Sequence, residues 1–171
     1  MRAVVPDVIV AARHVGLSGV GRARAGVAFL ADPLWWLAGA GGLVLTVGML
    51  RVAPQALAGS ALHGVPVWLS CVLWQPILEE ATFRGVLQGG LLRSRWGGKR
   101  WVGVSAANLT CSAAFTAAHF VHHPPLWAAS VLLPSLLFGW LRERHGGLGA
   151  PIGLHVLFNL EFFAAAALAV G

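Results

Sequence analysis

Residues 75–84 read Gln-Pro-Ile-Leu-Glu-Glu-Ala-Thr-Phe-Arg, and they lie inside an apolar segment that runs over residues 65–92. This segment is long enough to cross a bilayer, because a membrane-spanning helix needs about 20 residues. A charged side chain at the centre of such a helix costs roughly 2.5–3.5 kcal/mol on insertion scales, and it usually faces the interior of a helix bundle. Glu79, Glu80 and Arg84 therefore need polar partners on other segments, and their position predicts a functional site.

The composition of the whole chain indicates an integral membrane protein. Of the 171 residues, 57% are hydrophobic and only 11% are charged, whereas a soluble domain has about 25% charged residues. The formal net charge of +6 comes from basic residues that lie between apolar segments, so nucleic acid is not an expected partner. Cys71 and Cys111 both fall inside predicted spans and form no metal-binding or redox motif.

The hydropathy pattern predicts an all-α fold, a polytopic transmembrane helix bundle that forms a single membrane domain over residues 1–171. About five spans are expected, and they cover residues 33–50, 65–92, 102–121, 126–141 and 148–170. Residues 4–15 are too short to cross a bilayer and have arginines on both sides. They are therefore expected to form an N-terminal interfacial helix.

The distribution of Lys and Arg predicts the orientation of this bundle. Four arginines precede the first span, four basic residues lie within residues 93–100, and Arg142 and Arg144 lie between the last two spans. The loops on the opposite side contain only Arg51. Since loops rich in Lys and Arg stay in the cytoplasm, the N-terminus is expected in the cytoplasm and the C-terminus outside.

Spacing along the predicted helices groups the polar residues inside the spans. Residues four apart share one face of a helix, so His155 and Asn159 are expected to point the same way. By the same rule Arg84 lies within reach of Glu80, whereas Glu79 is turned about 100° away from its neighbour. An ion pair with Arg84 keeps Glu80 ionised and leaves Glu79 free for other chemistry. Glu80 and Arg84 are therefore expected to be supporting residues of the site.

The polar residues supply the parts of a peptide hydrolase that needs no Ser or Cys nucleophile. A water molecule held between Glu79 and His119 loses a proton as it attacks a peptide carbonyl, since carboxylates and histidines act as general bases. His155 and Asn159 then donate hydrogen bonds to the developing oxyanion, as fixed donors in a dry site do. The predicted catalytic residues are thus Glu79, His119, His155 and Asn159. His123 lies in a predicted turn and is expected to be solvated.

The predicted depths of the two catalytic histidines differ. At a rise of about 1.5 Å per residue, His119 lies roughly 25 Å from the cytoplasmic end of a span that begins at residue 102. His155 lies only about 10 Å from the same end of its own span. The two side chains meet only if the third helix begins outside the bilayer or tilts, or if the last helix begins deep within it.

Three short motifs, in this order along the chain, resemble those of a family of membrane proteases. They are Glu79-Glu80-x-x-x-Arg84, Phe115-x-x-x-His119 and His155-x-x-x-Asn159. Over about residues 65–165 the chain is similar to the intramembrane glutamic endopeptidases of the CPBP or Abi family, which includes the type II CAAX prenyl proteases. The resemblance implies Glu79 as the water-activating carboxylate, and it implies a mechanism without a cofactor. Zinc is the alternative, since a Glu and two His side chains are a known zinc ligand set, although no H-E-x-x-H motif is present.

The resemblance also implies a substrate class and a location. The expected substrate is a membrane-anchored protein or peptide in the bilayer of a bacterial inner membrane. The chain has only about one span before the motif-bearing core, fewer than the larger prenyl-protein proteases, so prenylated substrates are not implied. The sequence Asp32-Pro33-Leu34-Trp35-Trp36 resembles the corresponding part of members that process C-terminal sorting signals.

Two other classes of function remain open on the sequence. A proton-coupled transporter also buries Glu and His in the membrane, but five spans without an internal repeat are few for that class. A non-catalytic scaffold or immunity protein of the same family needs none of the motif side chains, yet all of them are present. Hydrolysis of a peptide bond in or near a membrane-embedded segment of a protein substrate is therefore the preferred interpretation.

Overall fold

The computed structural model describes residues 27–52 and 64–170, which are almost entirely helical. The predicted interfacial helix over residues 4–15 lies outside the described residues. In chain order the described elements are a 3₁₀ helix (Ala28–Ala31), α1 (Pro33–Val52), α2 in five consecutive pieces (Val65–Leu69, Ser70–Trp74, Gln75–Glu80, Ala81–Gln88 and Gly89–Leu91), β1 (Arg100–Trp101), β2 (Val104–Ser105), α3 (Ala106–His119), α4 (Pro125–Ser130), α5 (Leu132–His145) and α6 (Gly149–Val170).

Three described stretches of helix are long and apolar enough to cross a membrane. They are Pro33–Val52, Pro125–His145 and Gly149–Leu168, and they correspond to the first, fourth and fifth predicted spans. The second of these stretches contains α4 and α5. Helix α2 is divided by two π-helical pieces and α3 has only 14 residues. The all-α class is confirmed, and the count of about five spans stays a prediction.

The third predicted span begins later than expected, because residues 100–105 form a β-hairpin. Val102 and Gly103 make its two-residue turn, and both have the positive φ that such a turn requires. Ser105 then caps α3, since its Oγ accepts a hydrogen bond from the backbone N–H of Asn108 at 2.9 Å. The prediction that the helix begins at residue 102 was wrong, because hydropathy does not distinguish the turn at residues 102–103 and the cap at Ser105 from the start of a helix.

Helix α2 departs from α-helical geometry near Pro76. A proline has no backbone N–H to donate, and its ring crowds the carbonyl one turn earlier. The helix widens into the π-helical piece Ser70–Trp74, where the Gln75 N–H donates to the Ser70 carbonyl five residues back. With the same five-residue spacing, the Cys71 carbonyl faces the nitrogen of Pro76, which has no hydrogen to donate. This carbonyl therefore has no partner in its own helix.

The hydrophobic core lies where α1, α5 and α6 meet. The buried side chains of this cluster are Phe29, Trp35, Phe138, Leu141, Ala150 and Leu154. The Trp35 indole nitrogen donates a hydrogen bond to the Ala150 carbonyl at 3.0 Å. On α1, Gly42 faces the ring of Phe158, which a Cβ at this position would overlap. The absence of a side chain at Gly42 therefore lets the first and last helices approach closely.

A polar network joins the ends of four elements. Glu143 on α5 accepts hydrogen bonds from Gln88 Nε2 at 2.8 Å and from the hydroxyl of Ser105. Arg100 of the hairpin forms an ion pair with the other oxygen of the same carboxylate. Gln88, which is fully buried, also donates to the Gly139 carbonyl at 3.0 Å. These bonds hold α2 and α3 against α5.

At the start of α1, Asp32 is bound to the end of α5. Its Oδ2 accepts a hydrogen bond from Arg144 Nε at 2.7 Å and lies 3.1 Å from His145 Nε2. The hydrogen bond from Arg144 holds the pKa of Asp32 below its usual range. A second oxygen, Oδ1, accepts the backbone N–H of Leu34 at 3.0 Å. The carboxylate thus caps α1 and links it to α5.

Candidate active site

Glu80 and Arg84 form a fully buried ion pair one turn apart on α2. Arg84 Nη1 lies 3.1 Å from Glu80 Oε1, and neither side chain is exposed. Arg84 Nη2 donates to the Ser135 hydroxyl at 2.6 Å and to the Ser135 carbonyl at 3.0 Å. The guanidinium also lies over the Phe115 ring, 4.6 Å from its centroid, where a cation is attracted to the aromatic face. Because burial of two charges is costly, these additional contacts compensate for the lost hydration.

His155 on α6 lies between the two adjacent carboxylates. Its Nδ1 is 2.9 Å from Glu80 Oε1, and its Nε2 is 3.6 Å from Glu79 Oε2. An ionised carboxylate only accepts hydrogen bonds, so Nδ1 donates its proton to Glu80. The Phe138 ring stacks on the imidazole, with centroids 4.7 Å apart and an interplanar angle of 19°. Glu80 and Phe138 thus hold His155 with its second nitrogen directed at Glu79.

The two adjacent glutamates differ in their access to water. The Glu80 side chain is 0% exposed, whereas the Glu79 side chain is 33% exposed. The difference follows from the helix, which turns about 100° between neighbouring residues. Glu79 therefore faces open space while Glu80 is enclosed by Arg84 and His155.

His119 on α3 has a defined tautomer. Its Nδ1 is 2.8 Å from the carbonyl oxygen of Phe115, one turn earlier. Since a carbonyl oxygen only accepts, Nδ1 carries the proton, and in the neutral ring Nε2 has a free lone pair. Trp127 stacks beside the imidazole with centroids 5.8 Å apart. His119 thus presents a hydrogen-bond acceptor at Nε2.

The structure brings the two histidines to the same cavity through Phe115, in spite of their predicted difference in depth. The Phe115 carbonyl is 2.8 Å from Nδ1 of His119. The Phe115 ring lies between the histidines, with its centroid 4.4 Å from that of His119 and 6.0 Å from that of His155. Helix α3 begins at Ala106 rather than at residue 102, which shortens the part of the helix that precedes His119.

Asn159 joins α6 to α2. Its Nδ2 donates a hydrogen bond to the Cys71 carbonyl at 2.8 Å. This is the carbonyl for which Pro76 supplies no N–H, so the side-chain amide satisfies it. An amide nitrogen carries two hydrogens, and one remains beyond this bond. The sequence contains one signal for this contact, a proline five residues after Cys71. Only the tertiary structure shows which side chain donates the hydrogen bond to the Cys71 carbonyl.

A cavity of about 250 Å³ is lined by all four predicted catalytic residues, Glu79, His119, His155 and Asn159. Several of its other wall residues were not predicted as parts of the site. They are Gly42, Leu45, Thr46 and Met49 of α1, together with Gln75 and His123. The first span thus forms a wall of the cavity.

The His123 side chain is exposed, as expected for a solvated histidine, and it also lines the cavity. The backbone N–H of His123 donates to the His119 carbonyl at 3.1 Å, which continues the turn of α3. Its ring packs on Trp127 with centroids 3.9 Å apart, beside the cavity. Partial desolvation of the ring lowers the pKa of His123.

The zinc alternative needs three converging ligands. Among the residues that the structure describes, no three His, Cys, Asp or Glu side chains are grouped so as to hold a metal ion. Nδ1 of His155 donates to Glu80, and Nδ1 of His119 donates to a backbone carbonyl. These two bonds orient the imidazole rings and leave Nε2 of each ring outside them, so the mechanism without a cofactor stays a prediction.

Comparison with known proteins gives one family. The family model described as type II CAAX prenyl endopeptidase Rce1-like matches residues 60–160, which is more than half of the chain and includes every predicted site residue. No match was found among curated proteins or among solved structures. The match and the three apolar helices make this an integral membrane protein with the features of a protease. The chain belongs to the type II CAAX prenyl endopeptidase Rce1-like family.

Proposed function

We propose that the protein is an intramembrane endopeptidase of the glutamic type, which hydrolyses a peptide bond in or near a membrane-embedded segment of its substrate. The observation that carries the proposal is the convergence of Glu79, His119, His155 and Asn159 on one cavity. Membership of an endopeptidase family supports the reaction class. A carboxylate, two histidines and an amide are the groups that a water-based peptide hydrolysis requires.

Glu79 and His119 activate the attacking water in this proposal. Both present acceptors, the carboxylate of Glu79 and Nε2 of His119, because the Nδ1 proton of His119 is bound to the Phe115 carbonyl. A water molecule that donates both hydrogens to these acceptors directs its lone pair away from them, toward a peptide carbonyl. Glu79 takes the proton as the oxygen–carbon bond forms and passes it to the amine nitrogen when the carbon–nitrogen bond breaks.

His155 and Asn159 stabilise the negative charge that develops on the carbonyl oxygen. With Nδ1 donating to Glu80, an imidazolium at His155 also presents Nε2–H. In this state two carboxylates, one guanidinium and one imidazolium have no net charge, which suits a poorly hydrated site. The remaining amide hydrogen of Asn159 supplies a second donor.

The proposed substrate is a membrane-anchored protein or peptide, and the proposed biological role is the processing of C-terminal sorting signals. The Asp32-Pro33-Leu34-Trp35-Trp36 sequence supports this role. The protein is proposed to lie in a bacterial inner membrane with about five spans, the N-terminus in the cytoplasm and the C-terminus outside. The distribution of Lys and Arg supports this orientation. The proposed mechanism uses no cofactor.

Co-expression with candidate substrates tests the reaction. Wild type and Glu79→Gln are each produced with the membrane-anchored proteins encoded beside the gene, and the products are followed by intact-mass analysis. A mass shift is expected with wild type alone, because an amide cannot take the proton from water. The cut position then identifies the substrate class.

Glu161→Gln is the matched control for this experiment. Glu161 is a carboxylate of α6 that is not part of the cavity wall described above, so its variant is expected to cleave like wild type. If wild type and control both fold and neither cuts a candidate, the proposal is rejected. Ion flux in liposomes then distinguishes a transporter from a scaffold.

A further inference from the structure

Gln75 is a polar cavity residue that the proposed mechanism does not use. It lies one turn before Glu79 on α2, and residues four apart share a helix face. Both residues line the same cavity, and Gln75 is exposed. A polar side chain in an apolar membrane segment is costly and usually indicates a functional position.

The described hydrogen bonds nearest to Gln75 are formed by other groups. The hydrogen bond that joins α2 to α6 at this level uses Asn159 and the Cys71 carbonyl. The backbone N–H of Gln75 is bound to the Ser70 carbonyl within the π-helical piece. The side-chain amide of Gln75 adds a donor and an acceptor to the cavity wall.

We propose that Gln75 binds the backbone of the substrate, with Nε2 donating to a peptide carbonyl and Oε1 accepting a peptide N–H. This inference rests on the proposed function, and it places the bound segment along α2 from the cut bond at Glu79 toward Gln75. One side-chain amide matches one extended peptide unit, because each has one carbonyl acceptor and at least one N–H donor.

The proposal restricts the substrate class. In a membrane-embedded helix every backbone N–H and C=O beyond the first and last turn is already paired within the helix. Gln75 therefore selects a segment whose backbone is unpaired at the cut. Such segments occur where a transmembrane helix ends or where Gly or Pro interrupts it.

Steady-state kinetics test the role of Gln75. The probe is a library of quenched fluorescent peptides that end in a hydrophobic anchor, with and without Gly-Pro beside the random positions, in liposomes containing the purified protein. For the peptide that wild type cleaves fastest, Gln75→Leu is expected to raise KM about fivefold or more with little change in kcat, because the bond forms with bound substrate and persists in the transition state. Peptides with Gly-Pro are expected to be preferred by wild type.

Thr82→Val is the matched control. Thr82 is an exposed polar residue of the same helix, and its hydroxyl donates to the Leu78 carbonyl at 2.8 Å outside the cavity wall. This variant is expected to keep the KM and kcat of wild type. Should Gln75→Leu fail to fold, Gln75→Met replaces it with the same expected KM.

Peptide binding to inactive protein separates the two proposals. Fluorescence anisotropy compares Glu79→Gln with the double variant that also contains Gln75→Leu, and the double variant is expected to bind about fivefold more weakly. Equal KM and equal binding, with wild type still cleaving, reject the role of Gln75 alone. If wild type cleaves no library member, the proposed function is rejected and this inference with it.

Discussion

At the scale of single residues, the neighbouring carboxylates Glu79 and Glu80 have different surroundings. Glu80 is enclosed by Arg84 and by the Nδ1 of His155, at 3.1 and 2.9 Å. Glu79 is a third exposed and lies 3.6 Å from the other nitrogen of His155. One residue of helical rotation thus separates a carboxylate that organises the site from one that faces the cavity.

This difference predicts opposite effects for two matched variants. Glu80→Gln leaves Arg84 buried without its counter-charge, and breaking such a pair costs about 3–5 kcal/mol. Glu79→Gln is expected to unfold near the wild-type temperature, while its kcat falls about 10²-fold or more through loss of the general base. Thermal unfolding in detergent and peptide turnover measure the two effects. A larger loss of stability in Glu79→Gln than in Glu80→Gln would contradict these roles.

At the scale of elements, the contact between α2 and α6 depends on a proline. Pro76 leaves the Cys71 carbonyl unpaired, and the Asn159 amide satisfies it at 2.8 Å. The local widening of α2 and the polar residue on α6 are therefore parts of one contact. The neighbouring turn of α2 then positions Gln75 and Glu79 along the cavity.

A double-mutant cycle tests this dependence. Asn159→Ala is expected to lower the free energy of unfolding by about 1–3 kcal/mol, because a buried carbonyl loses its donor. In a Pro76→Ala background the restored N–H offers the carbonyl a helical partner, so the same change is expected to cost about 1 kcal/mol less. Denaturation in mixed micelles measures all four proteins. Strictly additive effects would show that the Asn159 amide does not replace the backbone N–H that Pro76 lacks.

At the scale of the whole molecule, the basic residues and the apolar helices together predict the topology. Three helical stretches have the length and hydropathy of membrane spans. The hairpin over residues 100–105 and the end of α5 meet through Arg100 and Glu143, which brings two basic segments to the same end of the bundle. This placement agrees with the orientation that the Lys and Arg distribution predicts.

Reporter fusions test this orientation. A reporter enzyme that is active only outside the cytoplasm is expected to be active when fused after residue 171 and inactive when fused between residues 145 and 149. The reason is that basic loops are retained in the cytoplasm while the odd number of spans brings the two termini to opposite sides. The reverse pattern would contradict the predicted orientation, and activity at neither site would contradict a span between the two fusion points.

Much of the fold was predictable because it depends on local sequence. Hydropathy located the three long apolar helices, and helix geometry alone brings Arg84 within reach of Glu80. The same reasoning was wrong at residues 102–105, where an apolar run forms part of a hairpin. It also gave no sign that the exposed His123 packs on Trp127 and lines the cavity. A turn and an aromatic cluster depend on backbone dihedrals and on neighbours from other elements, which hydropathy does not report.

The sequence by itself determined the membrane-protein class, the candidate site residues and the family resemblance, because composition, hydropathy and motif order are properties of the chain. Only the tertiary structure decided that His155 lies between Glu79 and Glu80 and that Asn159 binds the Cys71 carbonyl. It also decided that α1 lines the cavity. Contacts within a helix follow from its 3.6-residue turn. Contacts between helices depend on their packing angle and relative depth, which are set by how whole surfaces of side chains fit together.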